Sequence, residues 1–291
     1  MAAGENLWQK ILRDCSVRSK LPVVNLLVVG DAESGKSALL SRLNEANLLS
    51  SDATDDAQTV DKVLAFKTLN VLDPRAKDSG DETSEDLIAQ ISSWSLNDLS
   101  LKDLIKIAVK PQTLHTTVVV IVLDLTRPWT IKNSLEQWLS ALEGQLLEQI
   151  NLLTPETRNE LYTAIKQHIL TYEDPSVDHS VPTPMDVSTS DFMEEGVLSK
   201  NLGVPLVFVV AKADLRPDIS VKVDYIEYTL RHFAIRYGAS LIFTSAKTGS
   251  NVDTLRKYVL HRAFPSQFKL TESPHLLAVL YTLGAGDRWD N

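Results

Sequence analysis

Cysteine occurs once in the 291 residues, as Cys15, so no internal disulfide can form, and no second Cys or His accompanies it at metal-ligand spacing. A buried or surface thiol is the expected state of that side chain. Cations are also scarce. The 29 Lys and Arg stand against 38 Asp and Glu, a formal charge of −9. That balance disfavours a protein whose affinity comes from neutralising phosphates, so nucleic acid is not an expected partner. Eleven Gly and twelve Pro are too few for a fibrous or wholly disordered chain, and 44% hydrophobic residues supply a sizeable core. No apolar run approaches the roughly 20 residues that cross a bilayer. The longest are strand-sized, such as VVVIVL at 118–123, and membrane insertion is not expected. The N-terminal MAAGENLW lacks the charged and apolar parts of a signal peptide, which fits a reducing, cytoplasmic location.

What is present has a clear order. Leu7, Trp8, Ile11 and Leu12 recur at helical spacing, giving an amphipathic helix within an N-terminal extension, residues 1–22. Val23–Val29 predicts a strand, and Ser37–Leu49 a helix through Leu39, Leu40 and Leu43. Strand-like stretches follow at 64–72 and 88–96, on either side of an acidic, Gly- and Ser-containing separator. Val118–Leu123 is apolar enough for a central strand covered on both faces. Leu135, Trp138, Leu139, Leu142, Leu146 and Ile150 trace one helical face, and a second helix runs from Pro155 to Tyr172; together they resemble one extended helical arm. The Leu-rich face has too few cations beside it for a membrane surface, so core or partner packing is expected. Residues 173–196 collect Pro, Ser, Thr and acids without period and predict an irregular, solvated insertion, in which His179 stands alone. Beyond it come a strand at 205–210, a helix at 223–237, a strand at 241–244 and a helix at 252–264. The alternation predicts an α/β fold: a mostly parallel central sheet flanked by helices over 23–264, with a C-terminal extension over 265–291.

The strongest local signal lies between the first strand and its helix. Gly30, Asp31, Ala32, Glu33, Ser34, Gly35, Lys36 and Ser37 fit G-x-x-x-x-G-K-[ST] in the strand-loop-helix context that motif requires. In such a loop the glycines let backbone N–H groups converge on phosphate oxygens, Lys36 brings a cation to the β and γ positions, and Ser37 contacts Mg²⁺. The bland alternatives are a chance match in a strand-to-helix turn and a relic loop that folds but holds nothing. A guanine-specific site would follow a later strand with [NT]-K-x-D. Here Ala211-Lys212-Ala213-Asp214 follows PLVFVV: Lys212 and Asp214 match, while Ala211 lacks the side-chain hydrogen bonds of Asn or Thr. Ser245, Ala246 and Lys247 follow LIFT and match the S-A-K loop that completes such a site.

Hydrolysis needs a second hold on Mg²⁺ and a group that orients water. The usual D-x-x-G is absent; at its place the chain reads Trp94-Ser95-Leu96-Asn97-Asp98-Leu99. Asp124, at the end of the central strand, is the one acid placed like an ATPase metal holder, but an acid there is commonly a turn or capping residue.

With those residues in view, the chain resembles the cytoplasmic dynein light intermediate chain over nearly its whole length. The likeness rests on ENLWQKIL followed by RSKLP, DLTRPWTIKNSLEQW, NLGVPLVFVVAKAD and YGASLIFTSAKTGSNVDTLRKYV. Trp129, after Pro128, and Trp138 match the cytoplasmic motor's subunit better than its intraflagellar relative. The resemblance implies a Ras-like P-loop domain with terminal extensions, docked on the dynein heavy-chain tail and linking motor to cargo in microtubule-based transport. It also implies a non-catalytic role and an association with the cytoskeleton through the motor. GDP or GTP with Mg²⁺ and an empty site are both compatible with it. Cargo adaptors would be engaged through a C-terminal region not represented here, since the chain stops at AGDRWDN where the family's domain continues. The 173–196 insertion, with its single Thr183-Pro184 pair, is a candidate phosphorylation segment. Two other readings stand beside this one: a small Ras-like GTPase switch hydrolysing GTP, and a structural domain with no ligand. Trp8, Trp129 and Trp138 are each candidates for a heavy-chain interface or for the core, with Trp138 placed in the core by its helical phase.

Overall fold

The computed structural model describes residues 21–45, 64–72, 87–171, 196–215 and 220–268. The N-terminal helix with Trp8, the thiol of Cys15, the insertion at 173–195 and the end of the C-terminal extension lie outside the described residues.

Among the described residues six strands form one sheet in the order β2-β3-β1-β4-β5-β6. They are β1 Val23–Val29, β2 Leu64–Leu72, β3 Leu87–Leu96, β4 Thr117–Asp124, β5 Leu206–Ala211 and β6 Ser240–Phe243. All neighbours pair in parallel except β2, which runs antiparallel to β3 at the sheet edge. Among the described residues five helices of ten residues or more flank the sheet: α1 Lys36–Glu45, α2 Ile131–Asn151, α3 Pro155–Thr171, α4 Ser220–Tyr237 and α5 Val252–Ala263. Predicted elements fall within a few residues of these limits, as end fraying allows; residues 46–49 of the first predicted helix lie outside the described set.

Parallel strands need crossover helices, and crossovers cover both faces, so the inner strands must be apolar on every side chain. β4 meets that requirement: Thr117 to Leu123 are all buried. Its alternate residues serve two cores. Val119, Ile121 and Leu123 join Leu27, Phe208 and the helix residues Leu135, Trp138, Leu142 and Leu230. Val118, Val120 and Val122 face the other way, against Leu39, Leu43, Leu255 and Val259.

The Leu-rich stripe of α2 belongs to the first core and is not half of a free arm: Leu135, Leu139, Leu142, Leu146 and Ile150 are buried. The helix ends at Leu152, and α3 restarts at Pro155, where the missing proline N–H costs nothing and Thr154 Oγ1 accepts the Thr157 N–H at 3.4 Å. A short helical stretch between β3 and β4 is absent from the sequence-based expectation. Two 3₁₀ segments, Leu99–Leu104 and Pro111–Thr116, flank one α turn, Ile105–Ala108. Asn25, a polar residue buried in β1, holds it in place by donating to Ala108 O at 2.9 Å and to Thr117 Oγ1 at 3.0 Å.

Candidate functional site

In a parallel sheet the loops after the strands gather at one end, and four of them meet here: those following β1, β4, β5 and β6. The β1 loop is Gly30–Ser37. Gly30 adopts φ 152° because nothing else fits: a Cβ there would lie 2.3 Å from Val122 O on β4. Gly35 has φ 96° and Glu33 has φ 60°, so the loop turns through backbone conformations that side chains resist. α1 begins at Lys36, with Ser37 exposed in its first turn.

Lys36 is only 3% exposed, and its amine folds onto the loop. Nζ donates to Gly30 O at 2.8 Å, Asp31 O at 2.5 Å and Ser34 Oγ at 3.1 Å. Burial lowers its pKa to about 8, against an opposing pull from the Asp31 carboxylate. A cation held so, over backbone that turns through glycines, fits an anionic phosphate.

The loops after β5 and β6 carry the residues that the sequence predicts for base recognition, and of these Asp214 and Ser245 meet. Asp214 Oδ1 accepts from Ser245 Oγ at 2.6 Å, and Ser245 Oγ in turn accepts the Thr248 N–H at 3.2 Å. That hydrogen bond, ahead of an opposing burial effect and with further help from Lys247, holds the Asp214 carboxyl below its ordinary range, ionised and able to accept N–H donors. Ala211 faces Gly35: a Cβ at that glycine would sit 3.6 Å from the Ala211 Cβ, an apolar contact where an Asn or Thr would place a polar group. Lys212, at φ 61°, arches back over the phosphate loop instead. Its Nζ donates to Glu33 O at 3.1 Å and to Asp124 Oδ2 at 2.8 Å.

Asp124 is thereby committed. Oδ1 accepts from the Thr126 N–H and hydroxyl, and burial, which pushes its pKa up, is outweighed by these bonds and by Lys212, so the carboxyl titrates below its usual range. Asp98 is committed as well: it caps the first 3₁₀ segment, accepting the Ser100 N–H at 2.8 Å. Among the described residues, no group of three or more His, Cys, Asp or Glu is placed to hold a metal ion. The phosphate side fits a nucleotide, the base side fits in part through Asp214 and Ser245, and the metal side rests on the Ser37 hydroxyl.

Three contacts that hold the site together have no signature in the sequence. Trp138 Nε1 donates to Asp31 Oδ1 at 2.9 Å, while its ring is buried in the core as the helical phase predicts. Arg127 pairs with Glu33 at 3.0 Å, and Arg42 Nε donates to Ala246 O at 2.7 Å. Helical periodicity placed Trp138 on the inward face but is silent about where an indole N–H ends up.

The topology, the phosphate loop and the paired Asp214 and Ser245 define a Ras-like P-loop domain. A family model described as dynein light intermediate chain (DLIC) matches residues 2–279, and the chain belongs to that family. Over 289 residues it is 29% identical to cytoplasmic dynein 1 light intermediate chain 1 of Rattus norvegicus, covering 92% of this chain and 51% of the relative. The Homo sapiens protein of that name is 28% identical with the same coverage. Cytoplasmic dynein 2 light intermediate chain 1 of Danio rerio is 31% identical over 178 residues, covering 60% of this chain and 44% of the relative. The chain thus spans about half the length of the curated relatives it matches. A solved structure described as the dynein light intermediate chain's conserved domain superposes with TM-score 0.57 at 21% identity, covering 88% of this chain and 77% of that one, a likeness of fold. Among the described residues no helix is long and apolar enough to cross a membrane.

Proposed function

We propose that this chain is a non-catalytic accessory subunit of the cytoplasmic dynein motor that docks on the heavy-chain tail and helps link the motor to cargo on microtubules. The observation that carries this reading is the family match across residues 2–279. Its place is then the cytoplasm, associated with the cytoskeleton through the motor.

In the same reading the phosphate loop holds a guanine nucleotide as a structural ligand, which stabilises the fold by mass action without switching it. Bound, the nucleotide would bring its own phosphate charge and, with Mg²⁺, a contact to Ser37. Gly30–Ser37 would hold the phosphates, Asp214 the base with Lys212 bridging from the base loop to the phosphate loop, and Ser245, Ala246 and Lys247 would close the base loop. Hydrolysis is not expected: Asp98 is engaged as a helix cap, and no glycine follows it where a γ-phosphate sensor would sit.

A sizing-column experiment with a purified heavy-chain tail fragment tests the docking. A stoichiometric complex is expected; separate peaks would count against the motor-subunit reading. Heat or acid denaturation of the purified chain should release guanine nucleotide, and a Lys36→Ala variant should release little or none. GTP turnover that Lys36→Ala abolished would instead establish the GTPase-switch reading, which the intact phosphate loop favours.

A further inference from the structure

Among the large apolar side chains exposed at the surface, one aromatic ring lies in the loop after β4 and two lie on α4. Trp129 is 75% exposed, Tyr225 69% and Tyr228 71%. Trp129 and Tyr225 line a groove of about 350 Å³ between the start of α2 and the first half of α4, floored by Ile131, Ile226 and Leu230. Exposed aromatic area of this kind, with an apolar floor beneath it, is what interface anchors occupy.

We infer that this groove is a docking site for an amphipathic helix of a protein partner, one that seats a large apolar side chain between Trp129 and Tyr225 and sets a carboxylate against Lys132. The partner's identity rests on the motor-subunit reading above and is taken to be the heavy-chain tail; the site and the chemistry of its occupant are new to it.

Two observations define the occupant. The first is charge. Lys132 is the one charged side chain that lines the groove among the described residues, is exposed, and has no carboxylate partner among them. In a chain of net charge −9 an unpaired cation at the rim of an apolar groove selects an acid on the incoming segment. The second is backbone accounting. β4 is paired on both sides, with β1 and β5, and β5 with β4 and β6, so the groove exposes no strand edge for an extended segment to join. A segment laid into an apolar groove without such an edge must satisfy its own N–H and C=O groups, as a helix does.

The test uses the purified heavy-chain tail fragment, sizing chromatography and titration at low and moderate salt. Trp129→Ala and Tyr225→Ala should each weaken the complex about tenfold or more. Lys132→Glu should weaken it most at low salt, and Lys132→Arg should preserve it. Leu152→Ala removes a side chain that is also 71% exposed, at the other end of α2, and should leave affinity unchanged. Thermal melts of each variant separate lost docking from lost folding, and all four positions are exposed enough that melts should not move. Wild-type affinity in the Trp129 and Tyr225 variants would overturn the groove assignment and leave the motor-subunit reading standing. An equal loss in Leu152→Ala would overturn it too, as general surface stickiness. Failure of the unaltered chain to bind the tail fragment would remove both the groove's proposed partner and the reading it rests on.

Discussion

β1 and β3 are neighbouring parallel strands, with Val29 opposite Leu96, so the loops that follow them start side by side at the same end of the sheet. They have gone different ways. The loop after β1 keeps every demand of an anion cradle: a glycine where a Cβ would strike Val122 O, a second glycine at positive φ, and a buried lysine turned onto the loop. The loop after β3 passes at once into a 3₁₀ segment capped by its only acid, Asp98. A phosphate loop is thus a local construction that one strand, one turn and one helix can preserve. A hydrolytic site needs a second loop aimed at the same point, and here that loop has been given to structure.

The comparison is broken most forcefully at Gly30. Gly30→Ala places a methyl against Val122 O and should cost about 3 kcal/mol or more in urea unfolding, together with any nucleotide affinity. Gly144→Ala, on the exposed side of α2 with nothing within 4 Å of its Cβ, is the control and should stabilise by about 0.5–1 kcal/mol. Equal effects at the two glycines would mean the β1 loop is not held as described.

Trp138→Phe keeps most of the buried ring and removes the indole N–H from Asp31. It should cost about 1–2 kcal/mol, and any bound nucleotide should leave faster because the first turn of the loop is freed. Asp124→Asn tests the clasp between β4 and Lys212. The folded carboxyl titrates below its unfolded value, so its stabilisation is fully present above about pH 4 and is lost as pH falls through the lower folded value. The stability gap to wild type, about 1 kcal/mol, should be flat from neutral pH down to about pH 4 and close below that in pH-resolved denaturation curves. Asp98→Ala sharpens the contrast from the other side. Loss of the cap should cost about 0.5–1 kcal/mol and leave nucleotide content and GTP turnover where they were. A drop in turnover would return Asp98 to catalysis.

Much of this was legible in the linear chain because it depends on short-range pattern. The mostly apolar runs VVNLLVV and TVVVIVL specify strands buried on both faces, and the G-x-x-x-x-G-K-[ST] spacing specifies its own turn. Phase put Trp138 inside. The helical stretch from Leu99 to Thr116 was not legible, because it is broken into two 3₁₀ segments around one α turn and is pinned by Asn25, 83 residues away from its partner Ala108.

The sequence by itself therefore determined the strand-helix alternation, the phosphate loop and the loss of D-x-x-G, each written within a dozen or so consecutive residues. Only the tertiary structure decided which acids are spent. Asp124 on Lys212 and Asp31 on Trp138 are choices made between residues 88 and 107 positions apart. It also decided that Trp129 faces solvent while Trp138, nine positions on, is buried. An exposed face and a buried one share the same amphipathic alphabet, and what separates them is which surface the folded sheet leaves uncovered.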